Sequence, residues 1–210
     1  MNKELETRFY SVELQTRAEG DDGIILGRPI VYSSRTDLGP FFEEIAENAL
    51  DGTDLDDVRL CLNHDTDYVY ARSRRNNANS TMRLMPNESG LDIEARLAIG
   101  KSAKAMDYFV AVDRGDITGM SFMFSVDDEE WRDLESDKPT RIIKKIGSVV
   151  EVSAVTFPAY SATTITARSK EALENARREL ENVRQQRAAE LENSEVERLK
   201  LKIKILGGKK

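Results

Sequence analysis

The stretch "SKEALENARRELENVRQQRAAELENSEVERLK", residues 169–200, holds no glycine and no proline and is dense in Glu, Arg, Ala and Leu. Nothing in it turns the chain and little in it asks to be buried. It therefore reads as a solvated helix or a short, interrupted coiled coil. Leu173, Ala176, Leu180 and Val183 step by three and four. The next seam position is Arg187, and the pattern resumes only at Val196, Leu199 and Ile203. The final "LKLKIKIL" alternates strictly and would also suit a strand. A tail of this kind cannot supply a core. The expected division is a compact domain over residues 1–167 and a charged helical tail over residues 168–210.

Charge divides at the same place. From Arg168 onward lie 12 of the 31 Lys and Arg and 8 of the 38 Asp and Glu, so the tail is net +4 and the body net −11. The whole chain of 210 residues carries −7, which argues against nucleic-acid specificity. There is one cysteine, Cys61, and one histidine, His64. They exclude an intramolecular disulfide and a Cys/His zinc site, and no metal or cofactor is expected. "MNKELETRFYSVEL" has no signal-peptide apolar core, and no apolar run approaches the ~18 residues of a membrane span. The expectation is a soluble, cytosolic protein with no membrane partner.

The body reads mostly as strands. "GIILGRPIVYSS" (residues 23–34) is β-branched and punctuated by Gly and Pro, and "VRLCLNHD" is extended. "STMRLMPNESGLDIEARLAI" alternates on either side of a turn at residues 86–90, which predicts a hairpin. "MSFMFSV" and "IGSVVEVSAVTF" are strong strands, and the charged segment between them is a loop or a polar hairpin tip. Two helices are expected in the body. "FFEEIAENALDG" (residues 41–52) stops at Gly52, and "SAKAMDYFVAVDRGD" (residues 102–116) ends at Gly115.

Three residues stand out chemically. His64 must carry any histidine-dependent chemistry within one chain; otherwise it is a surface histidine beside Asp65 and Asp67. Ser121 follows Gly119 early in a strand, where backbone can approach a ligand closely, or else it lies on the wet face of that strand. Glu151 sits inside one of the most apolar runs of the chain. It either has a buried partner or shares a solvent face with Val149 and Ser153. One Ser, one His and one Glu are the inventory of a serine-hydrolase triad, which is recognised by geometry and in which chain order varies. Cys61, three residues before His64, points to the opposite strand face and reads as packing. Asp65 also faces away from its neighbour. No nucleophile-elbow, P-loop or dinucleotide fingerprint is present.

The ordered pieces "GIILGRPIVYSSRTDLGPFFEEIAENAL", "DVRLCLNHD", "RGDITGMSFMFSV" and "EVSAVTFPAYSAT" resemble the prohead maturation proteases of tailed bacteriophages. The resemblance implies a fold like the herpesvirus assembly protease: α+β, a mainly antiparallel β-barrel-like core ringed by helices, here with a helical tail. It implies a serine endopeptidase inside the immature capsid in the host cytoplasm. Its substrates would be scaffolding protein or the scaffolding segment of the major capsid protein, and the chain itself, with a homodimer as a further partner. It makes His64 the general base, Ser121 the nucleophile and Glu151 the third member; it does not place the oxyanion donors, for which backbone N–H groups near residues 158–163 are a suggestion. The alternative is a non-catalytic capsid scaffold or assembly chaperone that works through the tail. One departure concerns "YARSRRNNANSTMRL", which lacks the short glycine turn the family places after its histidine.

Overall fold

The computed structural model describes residues 4–156 and 167–207. Two sheets and one short helix enclose the core, and a long helix follows. The strands are β1 (Glu6–Ser11), β2 (Gln15–Glu19), β3 (Asp22–Val31), β4 (Thr36–Asp37), β5 (Phe42–Ile45), β6 (Arg59–Leu62), β7 (Ala71–Arg72), β8 (Met82–Asn87), β9 (Gly90–Leu97), β10 (Gly119–Arg132) and β11 (Thr140–Val155). The helices are α1 (Ala103–Asp113) and α2 (Ala167–Gly207).

The four-stranded sheet runs β2-β3-β9-β8 and is antiparallel throughout. The larger sheet is mixed. β1, β10 and β11 are antiparallel neighbours, and the far edge of β11 is paired in parallel by β5 near its start and by β6 near its end. No closed barrel is present among the described residues, which corrects the barrel-like expectation. The two sheets instead face each other across a shared core. Ile25, Ile30, Leu91 and Ile93 come from one sheet, and Leu60, Met120, Phe122, Phe124, Val152 and Ala154 from the other. The α+β class stands.

The β8–β9 hairpin forms as expected, but its turn is tighter. Pro86 and Asn87 belong to the edge strand β8, where a missing N–H is tolerated, and only Glu88 and Ser89 turn. Gly90 closes the turn at φ +138, and a Cβ there would fall 1.9 Å from the Ile30 carbonyl oxygen. Helix α1 is capped by the Ser102 hydroxyl, which accepts from the Ala105 N–H, and buries Ala105, Tyr108, Phe109 and Val112. The Tyr108 hydroxyl donates to the Cys61 carbonyl, tying α1 to β6.

Residues 41–52 are not a helix. They form β5 followed by turns. Glu43 and Ile45 point inward at period two, and Glu43 is 3% exposed because two guanidiniums, Arg8 and Arg141, meet it there. Partners distant in sequence make this glutamate a core residue. The charged segment after β10 is the tip of a long hairpin, since β10 and β11 pair from Arg132–Thr140 inward. The "LKLKIKIL" segment continues α2 as far as Gly207.

Candidate active site

The site grows from strand register. Ser121 in β10 lies opposite Ser153 in β11, and Ser153 lies opposite Cys61 in β6. The next row on the same face is Met123, Glu151 and Arg59. Regular alternation would put Val149 on that face too. However, β11 advances two residues, Glu151 to Val149, while β10 advances one, Met123 to Phe124. This bulge at Val150 sends Val149 into the core and leaves Glu151 on the outer face. That face is not wet: Ser121 and Ser153 are 0% exposed and Glu151 3%.

His64 reaches the row by a strained turn. Asn63 (φ 52) and His64 (φ 61) are both left-handed, a conformation costing about 1–3 kcal/mol for each side-chain-bearing residue. The surroundings hold it in place. The Asn63 N–H donates to the Ala154 carbonyl at 3.0 Å. The Thr156 N–H and hydroxyl both donate to Asn63 Oδ1, at 3.0 and 2.9 Å. The His64 N–H donates to Ser153 Oγ at 3.0 Å.

The imidazole therefore lies back over the sheet, with Nε2 2.6 Å from Ser121 Oγ and Nδ1 2.6 Å from Glu151 Oε2. The second carboxylate oxygen, Oε1, accepts from the Ser153 hydroxyl. With Nδ1–H donated to Glu151, the neutral ring offers an Nε2 lone pair to the serine hydroxyl. Ser121 Oγ has a second acceptor in reach, the Arg8 carbonyl at 2.8 Å. Its single hydrogen serves Nε2 when the ring is neutral. It turns to Arg8 when Nε2 is itself protonated and donating.

Neighbouring groups drop out on chemical grounds. Burial, and then the charge of Glu151, pushes the Cys61 thiol up to about 12, so it is not a thiolate at neutral pH. Asp65 is exposed, and its carboxylate accepts from the Asp67 N–H at 3.1 Å. Among the described residues no group of three or more His, Cys, Asp or Glu is arranged to hold a metal ion, and no helix is long and apolar enough to cross a membrane. The suggested oxyanion donors at residues 158–163 lie outside the described residues.

Residues 11–179 match the family of the Caudovirus prohead serine protease. The chain belongs to that family. No curated protein and no solved structure matches it. The family span takes in Ser121, His64 and Glu151 together and stops inside α2. Membership makes the chain a serine protease of phage prohead maturation. Two participants escaped the reading of the sequence. Ser153 looked like an alternating polar residue, although its place two after Glu151 in a buried strand was a usable sign. The Arg8 carbonyl has no side-chain signature at all.

Proposed function

We propose that Ser121 is the nucleophile, His64 the general base and Glu151 the orienting carboxylate of a serine endopeptidase. Its substrates are scaffolding protein or the scaffolding segment of the major capsid protein, and the chain itself. The observation that carries this reading is the unbroken contact from Ser121 Oγ through the imidazole to Glu151, 2.6 Å on each side. Ser121 Oγ attacks the scissile carbonyl carbon as its proton passes to His64 Nε2. Glu151 stays ionised and stabilises the imidazolium. The imidazolium then protonates the departing amine, and a water activated in the same way releases the acyl group. Ser121 has no exposed surface in this arrangement, with its Oγ held between the imidazole and the Arg8 carbonyl.

The work belongs inside the immature capsid in the host cytoplasm, with residues 1–167 as the protease body and 168–210 as a helical tail. Two halves of α2 behave differently. Ala176 and Leu180 are buried, and Arg184 donates to the Leu134 and Ser136 carbonyls at the β10–β11 tip, both at 3.0 Å. Beyond that anchor Leu191, Val196 and Leu199 are 50%, 42% and 58% exposed. This bare half is a removable handle for scaffold or capsid protein, or for a second copy of the chain.

Co-expression with the major capsid and scaffolding proteins of the same phage, read on a gel, tests the assignment. Ser121→Ala and His64→Ala should abolish processing while the enzyme stays folded. Normal cleavage by Ser121→Ala sinks it. A chain ending at residue 184 that still enters proheads at the normal copy number removes the handle role.

A further inference from the structure

We infer that Ser153 is a positioning residue that fixes His64 and Glu151 against each other. The inference rests on the catalytic reading above and adds a fourth side chain to it. Ser153 is 0% exposed and sits in the same row as Ser121. A serine hydroxyl has one hydrogen to give and two lone pairs to offer. Here the hydrogen goes to Glu151 Oε1, and a lone pair accepts from the His64 N–H at 3.0 Å. Both partners are members of the proposed triad.

The consequence follows from the carboxylate. Glu151 has two oxygens, and only Oε2 faces the imidazole. With Oε1 held by Ser153, the carboxylate plane cannot rotate away from Nδ1. Without that bond a buried oxygen loses its donor, and the group either turns or takes a proton to satisfy itself. At the other end, Ser153 holds the backbone of the residue that carries the ring. One hydroxyl thus bonds both the residue that carries the base and the carboxylate that orients it.

A merely structural role fits the contacts less well. The left-handed turn is already fastened by Asn63, through the Ala154 carbonyl on one side and through Thr156 on the other. Losing Ser153 leaves those bonds in place. The neighbour in the row, Cys61, cannot substitute, because its carbonyl is engaged by Tyr108 and its thiol is a poor donor.

A fluorophosphonate probe on the full chain tests this without knowledge of the natural substrate. The nucleophile's oxygen bonds to phosphorus, fluoride leaves, and the serine proton passes to His64. Ser153→Ala should slow labelling by about 10- to 100-fold and move the ascending limb of the pH–rate profile to lower pH, because a loosely held Glu151 stabilises the imidazolium less. In a Glu151→Gln background the same change should cost less than about twofold, since the effect on rate runs through that carboxylate while Asn63 still fastens the His64 turn. Wild-type rate and profile for Ser153→Ala overturn the inference. So does an undiminished loss in the Glu151→Gln background, which would mark a structural role. Ser121→Ala runs alongside. If it still labels at the wild-type rate, the catalytic reading itself has failed; if it does not label while Ser153→Ala labels normally, only the Ser153 role has failed. Should Ser153→Ala not fold, Ser153→Cys, with a weak donor of similar shape, should label at an intermediate rate, and a wild-type rate there overturns the inference.

Discussion

Two groups of buried charges lie on opposite faces of the β1-β10-β11 sheet, and they are built on different terms. On the outer face, Ser121, His64 and Glu151 meet through single contacts. On the core side, Arg8 meets Glu43 at 2.5 and 2.7 Å and Glu6 at 2.6 Å. Arg141 meets Glu6 at 2.8 and 2.9 Å, Glu43 at 2.9 Å and also Glu129. The guanidiniums never give up their protons, and every carboxylate there is bound by at least one of them. Arg8 is pushed further up by Glu43 and Glu6 despite burial that opposes it. Burial alone would raise Glu6, but Arg8 and Arg141 hold it down at about 2. The outer group, by contrast, contains a ring that can take a proton and pass it on. Multiple fixed charges lock a strand end in place, whereas a single contact on each side of an imidazole leaves a proton free to move.

Five changes break or sharpen that contrast. Ser121→Ala should lower peptidase activity by about 10⁵-fold or more and shift the melting midpoint by only a few degrees. Glu151→Gln should lower the rate by about 10⁴-fold, again with the fold intact, because the ring then loses its tautomer. Arg141→Leu should do the reverse. It leaves Arg8 as the one guanidinium between the buried Glu6 and Glu43 and takes Arg141 from Glu129, and it should cost about 3–5 kcal/mol in urea unfolding. If Arg141→Leu spared stability and abolished catalysis, the two groups would not be separate in kind.

The fourth change is in pH. Glu6 titrates near 2 in the fold against a usual 4.5, so the unfolded chain binds the extra proton in between. Its contribution is complete above about pH 4.5 and is lost as pH falls toward about 2. Glu6→Gln should flatten the stability curve across that window, measured by denaturation at fixed pH. The smallest effect belongs to the bare half of α2. A chain ending at Glu190 should unfold within about 0.5 kcal/mol of the full one, because Leu191, Val196 and Leu199 are exposed.

The sequence was legible where pattern is local. The long hairpin, α1, the helical tail and the three residues of the proposed triad were all visible as residue types in context. What escaped depended on distant partners. β1 carries Glu6 and Arg8, whose burial depends on Glu43 and Arg141 being placed against them. The same meeting hid β5 behind a helical pattern. The bulge at Val150, which separates Glu151 from Val149, has no marker in "SVVEVS". The two-sheet arrangement in place of a barrel follows from which edges β11 offers to β5 and β6, and no local rule decides that.

β11 also has a consequence for the order of events in folding. This one 16-residue strand pairs with β10, β5 and β6 and carries Arg141, Glu151 and Ser153. His64 and Glu151 are 87 residues apart, and the Arg8–Ser121 contact spans 113. Such distant closures come late, because the entropy of each long loop must be overcome before its contacts form. No intermediate lacking β11 can hold the proposed triad. Peptide-bond cleavage thus becomes a property of the finished fold, and no chain can carry it out while its own sheet is still assembling.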